Sequence, residues 1–210
     1  MKHLIFLIIC FCISYNSFTQ NYTKVSNIKE LEVRLTDNSK SLTTIVADFT
    51  QEKHLAFLDE KIISTGKFWL REANSIRWEY NNPFSHIIII HDGKFRTRDG
   101  KGKTSSFDIN SNPVFKEVNN LIVSSARGDL IADNKFDVEA FENQTSYKLI
   151  LTPKDEKIKQ VINKTELYFD KELLSVYKVV MIEGETDFTI ITFTNRVFNA
   201  NIPNSIFNID

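Results

Sequence analysis

The residues of this sequence that could do chemistry most directly are two histidines and two carboxylates. His86 and His91 flank a run of four isoleucines. In a strand, side chains five positions apart point to opposite faces, so this spacing excludes a shared metal ion, and we expect both histidines at exposed strand ends. Asp48 and Glu52 could form an acid–base pair, but acidic residues that alternate along a strand are typical of a solvated face.

Sequence motifs of catalysis and cofactor binding are absent as well. The sequence contains no HExxH, GxSxG, P-loop or GxGxxG pattern. The formal net charge is −1, with 25% charged residues, which does not indicate a nucleic-acid partner. We therefore predict a protein that is not an enzyme, with no metal site and no cofactor.

The first 20 residues have the pattern of a signal peptide. Lys2 and His3 precede an apolar run over residues 4–13, and polar residues follow up to Gln20. The apolar run is too short to span a bilayer. Both cysteines, Cys10 and Cys12, lie inside this segment, so the remaining chain has no disulfide or thiolate site. We predict a signal peptide over residues 1–20 and a single domain over residues 21–210.

Residues 66–83 are the stretch around which the other elements are organised. They form two alternating segments, as half-buried strands do, and Asn81, Asn82 and Pro83 end the second one. A glycine inside such a strand, here Gly66, indicates a bend, a bulge or a close backbone approach. With the strand predicted over residues 42–53, this hairpin presents large apolar side chains on one concave face: Phe49, Phe68, Leu70, Ile76, Trp78 and Tyr80.

Two amphipathic helices are predicted to cover that face. The first begins after Asn27, which pairs with Glu30 in a capping box, and ends at the polar residues 36–39. The second spans residues 112–128, with Pro113 at its start and Gly128 at its end. Its apolar side carries Val114, Phe115, Val118, Leu121 and Ile122. If the helices fill the concave face, the protein has an ordinary core. If they form a hinged lid, it has a pocket for acyl chains.

The remaining segments predict an antiparallel sheet. Asp92-Gly93 is a hairpin-turn signal. The connections are short, which favours antiparallel pairing of successive strands. Further strands are predicted over residues 136–141, 147–152, 161–170, 174–183 and 188–195, with a solvated charged turn at 154–157.

These segments, in this order, resemble the periplasmic outer-membrane lipoprotein carrier family, the LolA-like proteins. The resemblance runs along nearly the whole chain after the signal peptide, through ADFTQ at 47–51, GxFxL at 66–70, RWEYxxP at 77–83, Asp92-Gly93, LTPK at 151–154, FxN at 193–195 and FNI at 207–209. It implies an α+β fold, an incomplete antiparallel β-barrel with the helices as a lid over a hydrophobic cavity. It also implies a periplasmic carrier that shields lipoprotein acyl chains between an inner-membrane exporter and an outer-membrane acceptor. We expect a monomer, and the sequence does not identify the acceptor.

The sequence departs from the family at the predicted lid latch. Relatives carry Arg-Pro after the GxFxL strand, and that arginine helps to hold the lid closed. Here Glu72 and Ala73 occupy these positions and Arg71 stands one place earlier, so Arg71 and Glu72 are the candidate latch. Two alternatives stay open. The same fold could bind another lipid or amphiphile, such as a glycolipid or a polyene ester, or it could act as a sensor of mislocalised lipoprotein.

Overall fold

The dominant element of the computed structural model, which describes residues 21–71, 75–111, 123–124 and 135–209, is one antiparallel sheet of twelve strands. The strands are β1 (Thr23–Lys24), β2 (Thr44–His54), β3 (Ile62–Arg71), β4 (Ser75–Asn82), β5 (His86–His91), β6 (Lys94–Asp99), β7 (Thr104–Asp108), β8 (Phe136–Glu142), β9 (Ser146–Pro153), β10 (Lys164–Asp170), β11 (Val176–Ile182) and β12 (Phe188–Phe198). The described helices are α1 (Ile28–Lys40) and α2 (Glu156–Lys159), with 3-10 turns at Ile109–Ser111 and Asn204–Phe207.

The sheet does not close on itself within the described residues. Its strand order is β1-β8-β9-β10-β11-β12-β2-β3-β4-β5-β6-β7, so β1 and β7 form the two edges. Successive strands from β2 to β7 and from β8 to β12 pair as neighbours, and the β12–β2 pair joins the two halves. The predicted antiparallel sheet is confirmed, and its open form agrees with an incomplete barrel.

One face of the sheet, called here the inner face, packs against α1. Leu31 and Leu35 of α1 are 2% and 1% exposed and pack on β8, β9 and β10. We call this group the α1 core: Leu31, Leu35, Phe136, Ala140, Tyr147, Leu149, Leu151, Leu167 and Phe169. The burial of these side chains holds α1 on the sheet, because a helix of this length is marginal by itself.

The start of α1 is as predicted, but its end is not. The Asn27 side chain accepts a hydrogen bond from the Glu30 N–H at 3.2 Å, which is the expected cap. The prediction that residues 36–39 end the helix is wrong, because α1 continues to Lys40. The Ser39 hydroxyl donates to the Thr36 carbonyl, and the Asn38 amide donates to the Leu173 carbonyl. These bonds satisfy polar groups that would otherwise compete with the helix.

The opposite, outer face of β2–β5 is covered by the C-terminal segment. Ile202 and Phe207 are 7% and 0% exposed and pack on Ile87 and Ile89 of β5. Arg77 fixes this segment further, since its guanidinium donates to the Ile206 carbonyl at 2.9 Å. The isoleucine run is therefore buried on both sides, as its unbroken apolar sequence indicates.

Three further predictions about elements need correction. Strand β7 was missed, because Thr104, Ser105 and Ser106 give no apolar alternation. The predicted strand over 161–170 begins only at Lys164, and the predicted charged turn is the short helix α2, which the Asp155 side chain caps through the Lys157 N–H. Of the predicted second helix, Val123 and Ser124 are described and are helical; its other residues lie outside the described part of the chain.

Gly66 sits at a β-bulge, as its position inside a strand predicts. Thr65 pairs with Asn82 and Gly66 with Tyr80, so Asn81 is an extra residue in β4. A Cβ atom at Gly66 would overlap the Glu79 carbonyl oxygen and lie 2.9 Å from Phe49 Cε1. Only a residue without a side chain permits this approach of two strands.

The substitution Gly66→Ala should therefore destabilise the protein by about 3 kcal/mol, because backbone and a buried ring must both move. Urea unfolding measures the change. The matched control is Gly184→Ala, where the nearest atom to an added Cβ is Asp187 Cβ at 3.6 Å, an ordinary contact. Equal unfolding midpoints for the two variants would contradict this explanation.

Candidate functional site

A cluster of aromatic rings lies in the middle of the inner face. Phe68 and Trp78 are directly paired across β3 and β4, and their ring centroids are 4.7 Å apart. Phe49 of β2 contacts Trp78 at 5.2 Å and Tyr80 at 5.0 Å. Most of these contacts are tilted or edge-to-face, which is the favourable arrangement for ring quadrupoles. We call the whole group the aromatic cluster: Phe49, Phe68, Leu70, Ile76, Trp78, Ile90, Ile109, Val123 and Ile191, with Tyr80 and Phe193 packed against it.

All six side chains predicted for the concave face lie together in this group. Phe49, Phe68, Leu70, Ile76 and Trp78 are each at most 8% exposed. Val179 of β11 packs against both the aromatic cluster and the α1 core, so the two groups share the inner face. The neighbouring side chains Lys67, Trp69 and Arg71 belong to the outer face, because side chains alternate along β3.

Two members from β12 were not predicted for the site. Ile191 and Phe193 reach the cluster because β12 pairs with β2, and Phe193 lies opposite Phe49 in the register. Ring centroids of Phe193 and Phe68 are 5.4 Å apart. The alternation of Ile191 and Phe193 was visible in the sequence, but the pairing of strands so far apart along the chain was not.

Val123 brings the predicted second helix into the site. It is helical, 9% exposed, and belongs to the aromatic cluster. The side chains predicted for the lid itself lie outside the described residues: Val114, Phe115, Val118, Leu121 and Ile122. The lid therefore stays a prediction, with Val123 as its described point of contact.

The indole N–H of Trp78 is a buried donor with no acceptor in the described part of the chain. Indole N–H groups usually find a partner when they are buried. Leaving such a donor unpaired costs about 1–3 kcal/mol. Within an otherwise apolar cluster, this N–H is a ready contact for one oxygen acceptor of a ligand.

Tyr80 adds a second polar group at the border of the cluster. Its hydroxyl donates to the Gln51 side-chain oxygen at 3.0 Å. Burial raises the pKa of Tyr80 to about 12, because the low-dielectric surroundings disfavour the phenolate. The hydroxyl is thus neutral and held in place at physiological pH.

The candidate latch residue Arg71 lies on the outer face. Its guanidinium donates to the Ile202 carbonyl and to the Asn204 side chain, and it lies 4.7 Å from the centroid of the Phe207 ring. Arg71 thus binds the C-terminal segment together with Arg77. Glu72, the other half of the predicted latch, lies outside the described residues.

The polar residues first considered for chemistry do not form one site. Asp48 accepts a hydrogen bond from the Asn195 amide at 2.8 Å, and Glu52 pairs with Lys61 at 2.6 Å. The hydrogen bond from Lys61 lowers the pKa of Glu52, so this carboxyl stays ionised. Both side chains are on the outer face, which agrees with the solvated face that was expected.

His86 and His91 point to opposite faces, as predicted, but the expected exposure is wrong because both are half-buried. The His91 ring is hydrogen-bonded to the Ser75 hydroxyl at 2.9 Å and stacks near Phe207. Among the described residues no three His, Cys, Asp or Glu side chains are grouped to hold a metal ion. The helices in the described ranges include none with the length and apolarity to cross a bilayer.

The pKa of Tyr80 predicts a loss of stability in alkali. The neutral hydroxyl is favoured in the folded state, so its stabilisation is complete below pH 10 and is lost as the pH rises towards 12. A shift of this size corresponds to roughly 2–3 kcal/mol. We expect Tyr80→Phe to lose less stability over this pH interval than the unchanged protein, as measured by urea unfolding. Identical alkaline slopes for both proteins would refute this role of Tyr80.

Comparisons with known proteins bear on the whole fold. A family model described as "Outer membrane lipoprotein carrier protein LolA" matches residues 40–210. No curated protein matches the sequence.

Similar solved structures include an uncharacterized conserved protein from Thermus thermophilus, with 9% identity and a TM-score of 0.53 over 85% of this chain and 91% of that chain. A chain of the Pseudomonas aeruginosa MucA/MucB complex has 14% identity and a TM-score of 0.51 over 84% of this chain and 59% of that chain. A DUF1329 family protein from Desulfovibrio piger has 11% identity and a TM-score of 0.50, covering 85% and 95% respectively. Similarity at these identities shows a shared fold.

Proposed function

We propose, because the chain belongs to the LolA family of outer membrane lipoprotein carriers, that it is a non-enzymatic periplasmic carrier of lipoprotein acyl chains. The acyl chains would lie against the inner face of the sheet, next to the aromatic cluster. An inner-membrane exporter would supply them and an outer-membrane acceptor would receive them. Residues 1–20 would direct export as a cleaved signal peptide.

The need for such a carrier follows from the cost of exposing acyl chains to water. Each methylene group removed from water contributes about 0.8 kcal/mol. A lipoprotein with long acyl chains therefore does not leave a bilayer for water unaided. A soluble carrier must offer comparable apolar contact and still release the chains at its destination.

The observation that carries this proposal is the composition of the aromatic cluster. It is broad, apolar and continuous across five strands from β12 to β5, and the Trp78 indole N–H in it has no acceptor among the described residues. A saturated chain with one ester group matches this combination, because the chain contacts the rings and the ester carbonyl accepts the hydrogen bond. An entirely apolar ligand would leave the donor unpaired.

Entry of a ligand requires that the cover over the cluster move. We propose that the helix containing Val123 is this cover, and that it is displaced while the sheet keeps its shape. A cover whose closed state is favoured by only a few kcal/mol can open and close in response to a ligand. Arg71 is not part of this cover, because it binds the C-terminal segment on the outer face.

The alternative cargo is another lipid or amphiphile, such as a glycolipid or a polyene ester. It would use the same face, since the apolar contacts do not depend on what the acyl chain is attached to. Identification of the bound molecule separates the two possibilities, whereas mutation of the cluster does not.

The two tryptophans allow a direct test, because they lie on opposite faces of neighbouring strands. In the variant Trp69→Phe, the remaining Trp78 should be strongly quenched by a brominated fatty acid, since bromine quenches only on contact. In Trp78→Phe, the remaining Trp69 should keep its emission. Steady-state fluorescence measures both.

The amount of bound acid must be measured in the same samples by mass spectrometry. A lack of quenching that is due to weak binding is then not mistaken for a lack of contact with the tryptophan. Quenching of Trp69 at equal occupancy would place the ligand on the outer face and contradict the proposal. Bound acid that quenches neither tryptophan would also contradict it.

A further inference from the structure

The two most exposed large apolar side chains of the described residues lie at one end of the sheet. Phe84 is 81% exposed and Phe57 is 78% exposed. Three aliphatic residues near them are also open to solvent. We call the group the aromatic rim: Phe57, Leu58, Ile62, Ile63 and Phe84.

Sheet topology places the rim residues at the same end. Phe57 is in the connection between β2 and β3, and Phe84 is in the connection between β4 and β5. These two hairpins are adjacent in the sheet, with β3 paired to β4. Neighbouring strands are about 4.8 Å apart, so the two turns are roughly 10 Å apart across the ends of the strands.

The exposure of the rim has a structural cause in the lengths of the strands. Ile62 and Ile63 pair with β2, but the outermost pair between β3 and β4 is Thr65 with Asn82. Each isoleucine therefore has a neighbouring strand on one side only. The loop that carries Phe57 is fixed, because the Ala56 N–H donates to the Asp187 carboxylate at 2.7 Å.

Positive charge lies beside the Phe84 side of the rim. Lys101 and Lys103 are exposed in the turn between β6 and β7, whose backbone N–H groups bond to the Asp99 carboxylate at 3.0 and 2.9 Å. This turn touches the Phe84 turn, since a Cβ at Gly100 would lie 3.2 Å from the Ser85 carbonyl oxygen. On the Phe57 side, the β2–β3, β11–β12 and β9–β10 connections carry exposed acidic side chains at this end: Asp59, Glu60, Glu185, Asp155 and Glu156.

We propose that the aromatic rim docks on the surface of a lipid bilayer that contains anionic lipid. Phe84 and Phe57 would enter the interface, where aromatic side chains are favoured, and Lys101 and Lys103 would contact the headgroups. A bilayer fits better than a folded partner, because the two phenylalanines project from separate turns and do not line a groove. A tilt towards the Phe84 side puts Lys101 and Lys103 closer to the anionic headgroups than Asp59, Glu60 and Glu185 of the Phe57 side.

This surface is distinct from the acyl-chain site. The rim is at the ends of the strands, whereas the aromatic cluster is in the middle of the inner face. If the chain carries acyl groups as proposed above, docking brings the inner face close to the membrane that supplies or receives them. Only that consequence rests on the proposed function.

Binding to vesicles tests the proposal with the protein purified after export. Flotation with vesicles of phosphatidylethanolamine and phosphatidylglycerol should recover the protein in the vesicle fraction. Phe57→Ser and Phe84→Ser should each weaken the partition about tenfold, by removing one ring from the interface. Lys101→Gln and Lys103→Gln should each weaken it about fivefold, and should have no effect on vesicles of phosphatidylcholine alone.

The matched controls are Leu173→Ser and Val197→Ser. These residues are 44% and 53% exposed and lie at the opposite end of the sheet, so vesicle binding should not change. Circular dichroism of each variant checks that it is folded. The double variant Phe57→Ser, Phe84→Ser should take up a brominated fatty acid from solution as the unchanged protein does, which separates docking from acyl-chain binding.

Three results would overturn the proposal. The unchanged protein could fail to float with vesicles that contain phosphatidylglycerol. The double serine variant could bind these vesicles as tightly as the unchanged protein. The control variants at the opposite end could lose as much binding as the rim variants.

Discussion

The close packing of the Phe49 ring over Gly66 is the contact on which the rest of the sheet depends. Gly66 has no side chain, so the ring of the neighbouring strand can come within 2.9 Å of where a Cβ would stand. The same glycine faces the bulge at Asn81, which increases the local twist of β4. An aromatic ring that covers a strand glycine, next to a bulge, is a combination that bends a sheet and fixes its register. Trp78 and Tyr80 both contact Phe49, so the aromatic cluster is assembled around this point.

Apolar side chains on both faces of the β2–β5 part of the sheet need two covers, and this protein builds them differently. The outer cover is the chain's own C-terminal segment. It is fixed by the burial of Phe207 and by hydrogen bonds from Arg71 and Arg77 to its carbonyl groups. On the inner face, α1 covers one half of the sheet, and the helix at Val123 meets the aromatic cluster on the other half. In the proposed carrier the outer cover stays in place and the inner one moves.

Much of this architecture could be predicted from the sequence, because local patterns determine it. The alternation in residues 66–83 correctly separates the two faces, and Asn27 with Glu30 correctly marks the start of α1. The family resemblance read from ordered short motifs is confirmed by the match over residues 40–210.

Other features depend on distant contacts that no local pattern reveals. Phe193 joins the site through the β12–β2 pair, and Arg71 binds a segment far away along the chain. Strand β7 consists largely of polar residues and forms because β6 offers it an edge. The end of α1 was misjudged because its polar residues form hydrogen bonds within the helix and with the β10–β11 turn. In each case tertiary contacts decide the structure against the local preference.

The most direct measurement of the central claim is the native mass of the protein as purified after export, followed by extraction and identification of bound lipid. A carrier of lipoprotein acyl chains should retain an acylated protein or peptide, and its mass should exceed that of the polypeptide by that amount. A bound free lipid would support the alternative cargo, another lipid or amphiphile, instead of a lipoprotein. A protein that carries nothing, and that also takes up no acyl chain when one is offered, would contradict the claim and leave the aromatic cluster as an ordinary core.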